Sequence, residues 1–360
     1  MDDLPRFKIG NLEINLIQGG MGVGISLRNL ASAVANCGGA GTIASVGIGS
    51  LKGYEKSYIK SNQDAFRDEI RATRSMSKGV IGVNVMYALT DYENLVNVAV
   101  EENVDFISSG AGMVKNLPKL VGNKDICLIP IVSDIRGASM ITRAWKRYGK
   151  VPDAIIVEGP DAGGHLGFKY EDLVNNTAPS LEKIAKEVID FANDSKNFRN
   201  PVPVILAGGI YTGQDIGEAY EWGAKGVQMA TRFVTTHECD ASNKFKLAYL
   251  NSHKEDIQII KSPVGMPGRA IINPFLREIR GGEKTEINCE YNCLKTCNPS
   301  KSPYCIANAL VNAQRGKLEK GFAFAGKKAY RATPETCLDK EGNFITVETL
   351  MQRISDEYHS

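Results

Sequence analysis

The chain has 360 residues, with 43 Lys and Arg against 41 Asp and Glu and a formal charge of +2. That balance lacks the concentrated basic excess of a nucleic-acid binder, and 43% hydrophobic with 23% charged residues is a globular rather than a disordered composition. No apolar run approaches the ~18 residues of a membrane span, and the acidic start Met1-Asp2-Asp3-Leu4-Pro5 has no basic-then-apolar leader, so a cytoplasmic protein without nucleic-acid or membrane partners is expected.

Short, nearly all-apolar runs recur along the first two thirds of the chain. They predict strands at 14–18, 41–45, 80–85, 104–108, 127–132, 153–157, 203–207 and 226–230. Continuous apolar runs suit parallel strands buried on both faces. Helical patterns lie between them. Ser26 can cap a helix over 27–36 that stops at Gly38-Gly39. Leu181, Ile184, Ala185, Val188 and Ala192 recur at three- and four-residue steps, with Lys183, Lys186, Glu187 and Asp190 between them. A short helix over 215–222 ends at Gly223. Eight strands with intervening helices predict an α/β chain folded as a (β/α)8 TIM barrel, with an open doubly wound sheet as the alternative.

The texture changes after Thr235. The expected organisation is a barrel over 1–235, a small inserted or appended domain over 236–316 that holds the clustered cysteines, and a C-terminal return to the barrel over 317–360. Val347, Leu350, Met351 and Ile354 predict a closing helix behind Thr346.

The residues that carry chemistry gather at predicted strand ends. Residues 158–167 read Glu-Gly-Pro-Asp-Ala-Gly-Gly-His-Leu-Gly and follow the sixth strand. Barrel chemistry sits in such loops. Gly163 and Gly164 let backbone approach a flat ligand, and His165, the only histidine before residue 237, can exchange protons near neutral pH; a purely structural loop histidine is the plainer reading. Gly208 and Gly209 follow the seventh strand, and Gln228, Ala230 and Thr231 form the eighth strand and its exit. Loops after strands seven and eight often cradle a phosphate, and amides there with the Thr231 hydroxyl could point at one anion. Gly20, Met21 and Gly22 leave the first strand, Asn84 ends the third, and Gly110 follows the fourth. Singly each is an ordinary turn; together they would line a mouth for a planar ring.

Cys289, Cys293, Cys297 and Cys305 form a Cys-x3-Cys-x3-Cys-x7-Cys run. Disulfides are disfavoured in a cytosolic protein. Four thiolates at this spacing could ligate a 4Fe-4S iron–sulfur cluster or a zinc ion, or remain free thiols.

These segments together resemble the nitronate monooxygenase (2-nitropropane dioxygenase) family, closely related to flavin-dependent enoyl-acyl-carrier-protein reductase II. The matching stretches are 18–22, 82–86, 109–112, 158–167, 203–210 and 223–233. The resemblance implies a TIM barrel that binds FMN. Gly208, Gly209, Ala230 and Thr231 would hold its phosphate. Met21, Gly22, Asn84 and Gln228 would lie near the ring or ribityl chain, Asp161, Gly163 and Gly164 would shape the loop beside it, Gly20, Gly110 and Glu158 would complete the cofactor-binding set, and His165 matches the catalytic histidine. Asp161 and Ala230 stand where the family often has Glu and Gly. Residues 264–269 resemble a loop of the substrate-covering domain, and Gly321 and Gly326 fall where the chain should return to the mouth. The activity implied is oxidation of an alkyl nitronate by flavin and oxygen. The alternative is an NAD(P)H-dependent reduction of an enoyl thioester, which residues 109–112 resemble more. The substrate is thus a small molecule or an acyl thioester, and a homodimer is left open. Two other readings compete. One is a non-catalytic flavin/iron–sulfur electron-transfer module. The other is a nucleotide-binding barrel of the IMP dehydrogenase type, which needs a nucleophilic cysteine where Cys37 and Cys127 are poorly placed.

Overall fold

The computed structural model describes residues 4–52, 57–289 and 292–360; the acidic start at 1–3 lies outside them. Eight parallel strands close into a barrel: β1 (Ile17–Gln18), β2 (Ala40–Ala44), β3 (Val80–Asn84), β4 (Phe106–Ser109), β5 (Cys127–Val132), β6 (Ile155–Glu158), β7 (Val204–Ala207) and β8 (Gly226–Met229). Each pairs with the next in chain order, and β8 returns to β1 through Gln228 beside Ile17. This is the (β/α)8 TIM barrel expected from the apolar runs. Ile17, Ala40, Phe106, Ile129, Ile156 and Ile205 fill its interior, each apolar side chain stabilising the fold by roughly 1.5–3 kcal/mol relative to exposure.

The first expected strand, 14–18, is corrected. Leu12–Ile14 instead pairs antiparallel with Phe7–Ile9, and only Ile17–Gln18 enters the barrel. The break falls at Asn15, whose backbone N–H donates to Gly38 O (3.2 Å) and whose Nδ2 donates to Cys37 O (3.3 Å). The hairpin closes the lower end: Phe7, Ile9 and Ile14 join the barrel interior. A Cβ on Gly226 would stand 2.3 Å from the Phe7 ring.

Helices cover the barrel. Leu181–Asn193 buries Leu181, Ile184, Ala185, Val188 and Ala192, the face its periodicity marked. Gly213–Glu221 starts in a capping box of Thr212 and Asp215. The closing helix Val347–His359 is capped by Thr346 and lies against it. The helix Arg28–Asn36 is corrected at its start. Ser26 Oγ accepts from Met21 N (2.8 Å) instead of capping, and the Asp240 carboxylate takes the amides of Leu27 (2.8 Å), Asn29 (3.2 Å) and Leu30 (3.2 Å).

Beyond residue 235, Ile257–Lys261 pairs antiparallel with Pro267–Ile271, which pairs in turn with Gly164–His165 of the loop after β6. A second apolar cluster, including Phe245, Tyr249, Ile257, Ile271, Ala323 and Ala325, lies under this covering part. Among the described residues no helix is long and apolar enough to cross a membrane.

Candidate active site

A cavity of about 660 Å³ sits at the carboxyl ends of the strands. Gly20, Met21, Gly22, Asn84, Gly110, Glu158, Gly163, Gly164, His165, Gly208, Gly209, Gln228, Ala230 and Thr231 all line it, so the structure brings every expected ring, phosphate and proton-handling position to one wall system. Of the four clustered cysteines, Cys293 lines it as well.

Small residues make the cavity possible. A Cβ on Gly20 would come 2.4 Å from Asn84 Cβ, and one on Gly163 would come 2.5 Å from the Ala325 carbonyl carbon. Gly208 and Gly209 adopt φ of +81° and +114°, open to glycine with little strain. Both line the cavity. Ala230 precedes the 3-10 turn Thr231–Thr235, and Thr231 Oγ1 accepts from Gly326 N (3.1 Å), leaving its proton for another acceptor. Gly208, Gly209, Ala230 and Thr231, at the ends of the last two barrel strands, thus share one stretch of cavity wall. Asn84 Nδ2 donates to Ser108 Oγ at 3.2 Å.

His165 is held by parts that sequence spacing did not reveal. Its Nε2 lies 2.8 Å from Ser262 Oγ, and its ring meets Phe324 edge-on at 5.0 Å. Burial pulls the imidazole down from its ordinary value to about 4, so it is neutral at physiological pH. The loop beside it is fixed by Arg269, which donates to Ala162 O (3.1 Å) and Pro160 O (2.6 Å). Asp161 pairs with Lys327 Nζ at 3.0 Å. Ser262 and Phe324 carry no local signature; Arg269 ends the 264–269 stretch that resembles a loop of the family's substrate-covering domain.

Glu158 ends β6 and faces the cavity. Its carboxyl has no hydrogen-bond or ion-pair partner among the described residues, and burial pushes it up to about 7. Cys37 follows the helix Arg28–Asn36, and Cys127 opens β5 at the end remote from the cavity. Burial raises these thiols to about 11 and about 12, which suits neither for nucleophilic work.

Among the described residues no three His, Cys, Asp or Glu side chains converge on a single-ion site. Cys289 is exposed, Cys293, Cys297 and Cys305 are half-buried, and all four are free thiols.

The family model described as nitronate monooxygenase matches residues 5–340. A "Probable nitronate monooxygenase" of Staphylococcus aureus (strain Newman) is 28% identical over 301 residues, covering 75% of this chain and 78% of that protein. The structure of FabK from Thermotoga maritima superposes with a TM-score of 0.72 at 25% identity, covering 98% of this chain and 94% of that one. A nitroalkane oxidase from Streptomyces ansochromogenes shares the fold with a TM-score of 0.72 at 20% identity, covering 96% of each chain.

Proposed function

Because the chain belongs to the nitronate monooxygenase family, we propose that it is an oxidoreductase that binds FMN at the barrel mouth and oxidises alkyl nitronates with oxygen to a carbonyl compound and nitrite. The observation that carries this reading is His165, its Nε2 2.8 Å from Ser262 Oγ, in the wall of a cavity it shares with Gly208, Gly209, Ala230 and Thr231.

The residues suit a planar ring bearing a phosphate. The amides of Gly208 and Gly209, with Ala230 and the Thr231 hydroxyl, would supply the donors a phosphate needs. Gly20, Gly22, Gly110, Gly163 and Gly164 keep the walls thin, and Met21 adds a polarizable side chain. Asn84, Gln228 and Glu158 offer amide and carboxyl groups to ring edges. FMN would supply the two-electron redox chemistry, leaving binding, orientation and proton handling to the protein. In the tautomer whose Nε2–H donates to Ser262 Oγ, Nδ1 of His165 would be free to accept the α-proton of a neutral nitroalkane, giving the nitronate that is then oxidised. Phe324 and the Gly268 pairing hold the ring in place.

A second reading is NAD(P)H-dependent reduction of an enoyl thioester. It is favoured by the apolar part of the cavity, where Met86, Met113, Met140, Leu294 and Leu310 could follow an acyl chain. Anaerobic addition of NADH or NADPH to FMN-loaded protein separates the two. Unchanged flavin absorbance, with nitronate-dependent oxygen uptake and nitrite release in air, supports the monooxygenase. Rapid bleaching with enoyl-thioester turnover supports the reductase and overturns the first reading.

A further inference from the structure

Cys289, Cys293, Cys297 and Cys305 fall within 17 residues, and nothing in the proposed flavin chemistry uses them. They lie between the helices Pro274–Arg280 and Ile306–Gln314, where the described residues form no helix or strand apart from the isolated bridge of Leu89 with Leu294. So long a stretch without regular structure inside a compact fold is uncommon unless a function or a ligand orders it. It is nonetheless pinned to the loop leaving β3. Thr90 N donates to Cys293 O (3.1 Å), Lys295 N to Ala88 O (2.9 Å) and Lys295 Nζ to Tyr87 O (2.9 Å). These bonds set Cys293 and Leu294 into the cavity wall.

The thiols share one neighbourhood. Cys293 lies within electrostatic reach of Cys289, Cys297 and Cys305, and Cys297 within reach of Cys289 and Cys305. Among the described residues no three of them form a ready metal-ion site. A single zinc needs four donors about 2.3 Å from one centre. A cubane takes one thiolate on each of its irons, which the four cysteines of this run can supply. Soft thiolate donors also exclude the hard cations Mg²⁺ and Ca²⁺. Cys305 opens the nine-residue helix Ile306–Gln314 without a side-chain cap, so first-turn amides remain for an anionic centre.

We propose that Cys289, Cys293, Cys297 and Cys305 ligate a 4Fe-4S cluster at the wall of the cavity. This site is independent of the nitronate reading, because its content is measured without turnover or flavin.

The test is protein made in iron-replete cells, purified without oxygen, and assayed for iron, acid-labile sulfide and zinc, with EPR after dithionite. The expected result is about four irons and four sulfides per chain and a broad absorbance that dithionite bleaches. The C293S/C297S variant should lose most of the iron and the EPR signal, and C37S should keep both. One zinc per chain, or no metal after reconstitution with Fe²⁺ and sulfide, overturns the proposal. So does iron content unchanged in folded C293S/C297S. If that variant does not fold, C289S at the exposed position carries the same test, with far-UV circular dichroism as the folding check.

Discussion

His165 Nε2 and Ser262 Oγ stand 2.8 Å apart, joining a loop at the end of β6 to the turn after the covering strand Ile257–Lys261. The candidate base belongs to the barrel, and its orientation belongs to the part that covers it. The strand pairing of His165 with Gly268 makes the same connection through the backbone. The loop that carries His165 and the strands around 257–271 are therefore built as one unit.

Replacing His165 by Ala should lower kcat/KM by about 10²–10⁴-fold while FMN content is retained. Ser262→Ala should cost less, roughly 3–30-fold, and should move the acid limb of the pH profile because the ring loses its fixed orientation. With the imidazole lowered to about 4, wild-type activity should hold from pH 8 down to 6 and fall as pH drops towards 4. The sign for stability runs the same way. The unfolded chain binds the proton near the ordinary value of 6.5 and the folded chain does not, so this group's contribution is present above 6.5 and is lost as pH falls through about 4. Steady-state rates against pH check the first part, and an acid limb centred near 6.5 would contradict it.

Glu158 titrates in the opposite sense. Its folded value of about 7 lies above the ordinary 4.5, so the stability tied to its proton is present at low pH and is lost as pH rises through about 7. Glu158→Gln should raise the melting temperature of cofactor-free protein at pH 8.5 and change it little at pH 5.5. Paired thermal scans at the two values decide this; equal effects at both would refute a half-buried, unpartnered carboxyl.

Gly163→Ala places a methyl 2.5 Å from backbone at Ala325 and 2.6 Å from Gly326 N. Backbone cannot swing aside, so the wall must shift. FMN affinity should fall at least about ten-fold, with roughly 1–3 kcal/mol of lost stability. Gly217→Ala, in a helix with only Tyr358 at 3.9 Å, is the control; it should leave affinity unchanged and stabilise by about 0.5–1 kcal/mol. Fluorescence titration with FMN reads both.

Asp240 caps the helix Arg28–Asn36 from 213 residues away. Asp240→Ala should cost about 1–2 kcal/mol, because buried first-turn amides lose their acceptor. Chemical denaturation checks it, and an unchanged midpoint would show that the cap carries no stability.

The barrel was legible because its strands are buried on both faces and read as unbroken apolar runs. It failed at 14–18, where the run looks continuous but Asn15 turns the chain into a hairpin that closes the lower end. The Ser26 cap was a reasonable local reading. Asp240, which replaces it, has no sequence signal because capping by a distant carboxylate leaves no spacing to read. The cavity residues were legible as glycines and small polar groups at successive strand ends. Ser262 and Phe324 were not, since each reaches the site through tertiary folding: Ser262 lies 97 residues from His165. The cysteine spacing was visible, but its attachment to Thr90 and Ala88, which brings Cys293 to the cavity, was not.

Equilibrium dialysis of the cofactor-free chain against FMN and against riboflavin, read by absorbance of the retained protein, tests the central claim most directly. The account predicts about one FMN per chain, and riboflavin bound at least about ten-fold more weakly because the amides of Gly208 and Gly209 and the Thr231 hydroxyl lose their anion. Protein that stays colourless in excess FMN, or that holds both flavins equally, would contradict it.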